Sequence, residues 1–141
     1  MRADRLRVDA RLEHLERACA RLAELAAEPW GDLTSNWDLQ SLIERHLETS
    51  LQDCIDVATH LVAENAWPVP ASYGDAFREL GRRGVLDAAH AERMAQGAGL
   101  RNLLVHASIS LAPQRLHEGP GQDVADLREF AARVAGKLGG G

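Results

Sequence analysis

Apolar side chains recur at helical spacing along most of this 141-residue chain. Near the N-terminus, one set follows alternating steps of four and three residues, which places its members on one face of a helix. The set consists of Val8, Leu12, Leu15, Cys19, Leu22 and Ala26. Pro29 and Gly31 come next, so the pattern predicts a first helix that ends before them.

The following segment, "LTSNWDLQSLIERHLETSLQDCIDVATHLVAEN" at residues 33–65, is also helical in period, with Ser35 or Asn36 as its N-cap. Its apolar positions are too many for one narrow face, which predicts a long helix buried on more than one side. They are Leu39, Leu42, Ile43, Leu47, Leu51, Cys54, Ile55, Ala58, Leu61 and Val62. A proline-rich connection, "WPVPASYG", then precedes a short helical pattern, "DAFRELGRRG", which Gly84 closes.

The last third of the chain continues the helical pattern. Asp87 can cap a helix that runs from about Ala88 towards Ser108. Residues 113–121 are predicted to form a loop, and residues 123–138 a final amphipathic helix. The alternation of β-branched residues that marks strands is missing from the sequence. We therefore predict an all-α fold, a bundle of four or five helices.

Charge and composition exclude some classes of protein. The chain has 16 basic and 21 acidic residues, a net charge of −5, which argues against coating nucleic acid or membrane through bulk positive charge. Residues 67–118 carry a net charge of +1, against −6 for residues 1–66, so an anionic ligand is least repelled there. Because neither a signal sequence nor an apolar run of membrane length is evident, we expect a soluble cytoplasmic protein.

Metal-binding patterns are weak. Asp53, Asp56 and His60 offer too few ligands at suitable spacing, and a hydrogen-bonded pair of Asp56 with His60 is the favoured interpretation. Cys19 and Cys54 form no metal or redox motif. We expect no metal and no cofactor. Four other histidines have no partner pattern and are predicted to lie at the surface or at the rim of a site: His14, His46, His90 and His117.

One polar cluster interrupts an otherwise apolar stretch, "AGLRNLLVHASIS" at residues 98–110. At about 100° per residue, the core side of this helix is predicted to carry Leu100, Leu103, Leu104 and Ala107. Arg101 and His106 are five residues apart, so their directions differ by about 140°. One helix cannot bring both side chains into a tight site unless the arginine wraps around it. Two copies of the helix, each presenting both residues to a common groove, remove that difficulty.

The decamer "GLRNLLVHAS" resembles the Arg-Asn-x-x-Val-His signature of HEPN-domain proteins, specifically the HepT-like toxins of toxin–antitoxin pairs. "SLQDCIDVATHLVAE" is similar to the long second helix of that family, and "DVADLREFAARV" to its closing helix. The resemblance covers roughly residues 35–138. It implies an antiparallel HEPN-like bundle of four or five helices, with one domain at residues 1–138 and a flexible tail at residues 139–141.

The resemblance also implies a function, that of a metal-independent endoribonuclease whose homodimer places Arg101 and His106 of both protomers in one cleft. A histidine can serve as base or acid, and an arginine can hold the scissile phosphate. Asn102 would orient His106 or bind phosphate, and Asp53 or Asp56 could orient His106 if either faces the groove. The expected partners are RNA, a second copy and a cognate nucleotidyltransferase antitoxin. The alternative is a non-catalytic HEPN subunit that docks a nucleotidyltransferase and presents nucleotide or substrate to it.

The sequence departs from the family at one position. HepT-like toxins commonly have a tyrosine two residues after the histidine, and the partner transferase modifies that tyrosine with AMP. This chain has Ser108 there, and Tyr73 is its only tyrosine. Because a serine hydroxyl has a far higher pKa than a phenol, a transferase adapted to tyrosine should modify it poorly. We expect neutralisation by occlusion of the cleft or by modification of another hydroxyl, with Ser108 and Ser110 ahead of Tyr73.

Overall fold

A computed structural model describes residues 2–106 and 113–140 of the chain. Every regular element in these two ranges is a helix, so the predicted all-α bundle is confirmed. The helices are α1 (Arg2–Ala26), α2 (Trp30–Ser35), α3 (Trp37–Glu64), α4 (Tyr73–Arg82), α5 (Ala88–His106) and α6 (Pro113–Gly140). The six-residue α2 lies in a stretch for which the sequence predicted only a break between two helices.

Side-chain caps fix where two of these helices begin. The Asn36 side chain accepts a hydrogen bond from the backbone N–H of Leu39 at 3.0 Å, so Asn36 rather than Ser35 is the N-cap of α3. Ser72 caps α4 in the same way, through the N–H of Asp75 at 3.1 Å. Gly84 follows the end of α4 with a φ of +76°, a conformation that glycine adopts without strain. The predicted end of this short helix is therefore confirmed.

The long helix α3 is the centre of the bundle and packs against α1, α4, α5 and α6. Most of its predicted apolar set is buried, which confirms burial on more than one side. The buried members are Ile43, Leu47, Leu51, Cys54, Ile55, Ala58, Leu61 and Val62. Full burial of each aliphatic side chain contributes about 1.5–3 kcal/mol relative to exposure. This helix therefore anchors every element that carries a candidate site residue.

The loop predicted at residues 113–121 is wrong, because these residues form the first turns of α6. Pro113 takes the first helical position, where its missing N–H costs no hydrogen bond. Pro120 lies inside the helix, at a cost of about 3 kcal/mol. Two features oppose that cost. Leu116 is buried, and Arg115 makes a bidentate ion pair with Asp123, at 2.9 and 3.1 Å. Helix α6 continues through Gly140, and the flexibility expected of residues 139–141 stays a prediction.

The buried face of α5 also differs from the prediction. Leu103 is 42% exposed, and Leu100 and Leu104 pack against the core only in part. Ala107 lies outside the described residues. Small residues and a methionine form the buried face instead: Ala91, Met94, Ala95 and Ala98. Small side chains let helix backbones approach closely, so this face sets the rotation of α5 about its axis. Arg101 lies one turn after Ala98 and therefore extends the buried face of the helix.

Within the two described ranges, no helix has both the length and the apolar character that crossing a membrane requires.

Cys19 and Cys54 are both buried and unbonded. Burial raises the pKa of the Cys19 thiol to about 11, so this thiol is not activated as a nucleophile.

Candidate functional site around Arg101 and His106

Arg101 lies at the end of the buried face of α5 and is only partly exposed. Its Nη1 donates a hydrogen bond to Oδ1 of Asn102 at 3.0 Å, and its Cζ lies 5.8 Å from the centre of the Tyr73 ring. Its Nε is buried and has no hydrogen-bond partner among the described residues. The guanidinium is therefore held by an amide and a ring, neither of which neutralises its charge.

The sequence interpretation placed Tyr73 behind Ser108 and Ser110 as a site of modification, and this order stays a prediction because both serines lie outside the described residues. Tyr73 is the first residue of α4, and its half-exposed ring lies against Arg101. The close approach of the start of α4 to α5 explains the contact. A Cβ added to Gly74 would lie 3.5 Å from the backbone oxygen of Ala95. The chain's only tyrosine is therefore a neighbour of the signature arginine.

His106 is the last residue of α5 and is exposed. It makes no hydrogen bond or ion pair with any side chain in the part of the chain that the structure describes. Asn102 precedes it by one turn and is also exposed, whereas Arg101 faces the bundle. The structure thus gives no contact between Arg101 and His106 within one chain. Ser108 lies outside the described residues.

Arg101 lines a groove of about 400 Å³ between α1, α3 and α5, which we call the Arg101 groove. Its lining residues are Arg11, His14, Arg45, Glu48, Thr49, Gln52, Asp53, Arg101 and Val105. Two of its arginines are paired with carboxylates, Arg11 with Asp53 and Arg45 with Glu48. Arg101 is the groove arginine whose hydrogen bond goes to a neutral amide. An anion entering the groove would find its cationic partner there.

Asp53, which could have oriented His106, instead contacts His14. Asp53 is buried, and its carboxylate lies 2.5 Å from Nδ1 of His14 and accepts a hydrogen bond from Arg11 at 3.4 Å. Burial raises the pKa of the Asp53 carboxyl, and the hydrogen bond from His14 opposes that rise. Among the described residues, Asp53 therefore orients a histidine of α1 rather than the signature histidine.

Asp56 lies outside the Arg101 groove. It accepts a hydrogen bond from Gln52 at 2.8 Å and pairs with Arg11 at 3.3 Å. The predicted pair of Asp56 with His60 is wrong. Nε2 of His60 lies 3.3 Å from the Glu64 carboxylate, one helical turn further on. Helical spacing allows His60 to pair with Asp56, four residues before it, or with Glu64, four residues after it. Arg11 on α1 pairs with Asp56, and His60 pairs with Glu64.

The expected position at the surface or at the rim of a site is confirmed for His14, which is exposed, although it has a partner in Asp53. The same expectation is wrong for His90, which is buried and donates from Nε2 to the backbone oxygen of Asp126 at 2.9 Å. A signal for the first contact is present in the sequence. Asp53 falls within the broad apolar face of α3, and a carboxylate buried there requires a hydrogen-bond donor from another helix.

A second polar cluster joins α5 to α6. His90, Asp126 and Glu129 form the one group in the described part of the chain whose side chains could together hold a metal ion. Arg93 lies across both carboxylates, with Nε 3.0 Å from Asp126 and Nη2 3.7 Å from Glu129. The Arg93 guanidinium therefore already supplies the positive charge that a metal ion would bring to these two carboxylates. The cluster has no member in the Arg101 groove.

Residues 15–134 match the family model described as "Ribonuclease HepT-like". The tRNA nuclease HepT of Aphanizomenon flos-aquae (strain 2012/KM1/D3) is 28% identical over 109 residues, which cover 77% of this chain and 74% of that protein.

Solved structures share the fold at lower identity. The tri-AMPylated HEPN toxin of Shewanella oneidensis, solved in complex with MNT antitoxin, superposes with a TM-score of 0.83 at 18% identity, covering 92% of this chain and 97% of that chain. YutE, a cytosolic protein of unknown function from Bacillus subtilis, superposes with a TM-score of 0.83 at 16% identity, covering 96% and 90%. Because the family model spans most of the sequence and the bundle has the fold of a HEPN toxin, this chain belongs to the HepT-like ribonuclease family.

Proposed function

We propose that this chain is the ribonuclease toxin of a HEPN/nucleotidyltransferase toxin–antitoxin pair. In this proposal it cleaves RNA without a metal ion, and Arg101 and His106 supply the chemistry. The observation that carries the proposal is the state of Arg101, whose guanidinium lines a groove of about 400 Å³ and pairs with no carboxylate of the described residues. A purely structural arginine at the end of a buried face would be expected to pair with one of the carboxylates nearby.

The cleavage step places specific demands on these residues. A base must take the proton of the RNA 2′-hydroxyl, an acid must protonate the leaving 5′-oxygen, and a cation must stabilise the charge that develops on the phosphate. Arg101 can contribute two roughly parallel N–H donors to the phosphate. His106 is exposed at the end of α5, where its imidazole can reach a bound RNA. Asn102 fixes the Arg101 guanidinium, so its supporting role is assigned to the arginine.

We propose a homodimer as the active form, because one chain does not bring Arg101 and His106 together. Exposed apolar side chains near the motif, Leu103, Val105 and Tyr73, offer a surface for a second copy. We expect sedimentation at micromolar concentration to show a dimer. A stable monomer that still cleaves RNA would refute the shared cleft.

We further propose that a nucleotidyltransferase partner neutralises the toxin, as the AMPylated complex of the Shewanella protein suggests. Ser108 replaces the usual tyrosine, so suppression by occlusion stays our expectation. The contact of Tyr73 with Arg101 makes this tyrosine the first alternative site to check. The intact mass of the protein purified with its partner distinguishes occlusion from modification, and peptide mapping identifies any modified hydroxyl.

The proposed function is tested by incubating the purified chain, separated from any partner, with RNA in excess EDTA. We expect cleavage to persist and to leave 2′,3′-cyclic phosphate or 3′-phosphate ends, since the 2′-oxygen is the nucleophile. Loss of cleavage in EDTA and its return with a divalent metal would refute the metal-independent mechanism. A chain that binds the transferase and RNA but never cleaves would instead support the non-catalytic HEPN subunit.

A further inference from the structure

We propose that His14 is a second acid–base group of the active site, held in one tautomer by Asp53. The inference rests on the proposed ribonuclease function and adds a residue to its machinery. It gives one chain both an arginine for the phosphate and a histidine for proton transfer, in the same groove. The histidine of the signature then has only one of the two proton-transfer roles to fill.

The geometry of the pair supports a defined tautomer. His14 lies on α1 with its side chain 47% exposed, whereas the Asp53 side chain on α3 is 2% exposed. Nδ1 of His14 lies 2.5 Å from Oδ2 of Asp53. Since a carboxylate can only accept, Nδ1 carries the hydrogen and Nε2 keeps its lone pair. Nε2 has no hydrogen-bond partner among the described residues, so it is available to a ligand.

The location of the pair links it to the signature arginine. His14, Asp53 and Arg101 line one groove of about 400 Å³, although they belong to three different helices. A volume of this size is within the range of ligand sites in proteins. Arg101 is the groove arginine without a carboxylate partner, so a phosphate would bind on its side of the groove. The His14 imidazole lines the same groove from α1.

Nε2 of His14 takes the proton of the 2′-hydroxyl, and the 2′-oxygen forms a bond to phosphorus. The bond from phosphorus to the 5′-oxygen breaks, and that oxygen receives a proton from protonated His106 of the second copy in the proposed homodimer. The products are a 2′,3′-cyclic phosphate and a 5′-hydroxyl, and both histidines return to their starting states by proton exchange with water. Asp53 acts through His14 as a positioning residue, and its charge stabilises the imidazolium that forms.

The surroundings of Asp53 suit this role. Asp53 is almost fully buried, so water solvates its charge poorly, and this burial raises the pKa of its carboxyl. The nearby Arg11 reaches Oδ1 only at 3.4 Å, a long hydrogen bond. A proton that arrives on His14 gives the carboxylate a full cationic partner at close range. A half-exposed histidine that only joined α1 to α3 would not need to face the groove of Arg101.

The test separates catalysis from structure through the His14→Asn variant. Asparagine retains an N–H donor near the position of Nδ1, so it can keep the hydrogen bond to Asp53, but it lacks a group that accepts and releases a proton. We expect kcat to fall at least ~100-fold with KM little changed, and the melting temperature to stay close to that of the unsubstituted protein. The matched control is His60→Asn, which alters another carboxylate-paired histidine outside the groove and should keep full activity.

The pH dependence of kcat/KM gives a second readout. The charged and titratable groups around His14 are Arg11 on α1, the α3 side chains Arg45, His46, Glu48 and Asp53, and Arg101 on α5. The His14→Asn variant keeps all of them, so loss of the acidic limb of the profile would be assigned to the imidazole. Binding of 2′-O-methyl RNA, which cannot be cleaved, should shift the Nε2 nuclear magnetic resonance signal of His14.

The outcomes are distinguishable. An unsubstituted chain that does not cleave RNA would refute the proposed function and this inference together. An active chain whose His14→Asn variant keeps its rate and its acidic limb would refute the inference alone. An unchanged His14 signal on binding of the 2′-O-methyl RNA would also refute it.

Discussion

Replacing Arg101 or His106 with alanine should lower the rate of RNA cleavage at least ~100-fold in each case, while leaving the chain folded. The two losses have different causes. Arg101→Ala removes the cation that stabilises charge on the phosphate, and its effect should be present across the whole pH range. His106→Ala removes a proton-transfer group, so it should also remove one limb of the pH–rate profile. Rates measured with and without saturating RNA separate an effect on kcat from one on KM.

Two substitutions outside the groove serve as controls for this experiment. Arg83→Ala removes an arginine that lies over the Trp67 ring and pairs with Glu79. His60→Ala removes a histidine that pairs with Glu64. Neither residue lines the Arg101 groove, so both variants should cleave RNA at nearly the normal rate. If Arg101→Ala and Arg83→Ala lose activity equally, general electrostatic attraction of RNA explains the effect and the assigned role of Arg101 is wrong.

Phe130→Ala should lower the free energy of unfolding by about 3–5 kcal/mol, a large part of the 5–15 kcal/mol typical of a whole domain. Phe130 of α6 is fully buried and meets Phe77 of α4 edge to face, with ring centres 5.7 Å apart and planes at 78°. Alanine removes this contact and leaves a cavity that rigid helices fill poorly. Urea denaturation followed by circular dichroism, at one fixed protein concentration, measures the change.

The control for this experiment is Leu6→Ala on α1, where the leucine is 63% exposed and the same type of truncation should cost less than about 0.5 kcal/mol. Activity per folded molecule should be retained in Phe130→Ala below its melting temperature, since Phe130 is absent from the groove lining. A loss below about 1 kcal/mol would show that the contact between α4 and α6 does not hold the bundle as described.

The fold was predictable from the sequence wherever the local signal and the tertiary packing favour the same structure. The four-and-three spacing on α1, the cap at Asn36 and the glycine at position 84 each describe chemistry within a few residues, and each is confirmed. The loop predicted at residues 113–121 was wrong. Proline and glycine disfavour a helix locally, but burial of Leu116 against the other helices stabilises the helix there. A sequence window does not register the energy of packing that opposes an unfavourable residue.

For the candidate site, too, the sequence determined the local features and the tertiary structure determined the contacts between helices. By itself the sequence determined that the chain is an α-helical bundle with a HEPN-like signature, and that Arg101 and His106 diverge around their own helix, since both follow from the period of 3.6 residues. Only the tertiary structure decided which face of α5 is buried, and hence that Arg101 meets Tyr73 and shares a groove with His14 and Asp53. Those contacts join residues 28 to 87 positions apart in the sequence. They depend on the rotation and register of packed helices, which the fit of side chains across the whole core sets and no local pattern encodes.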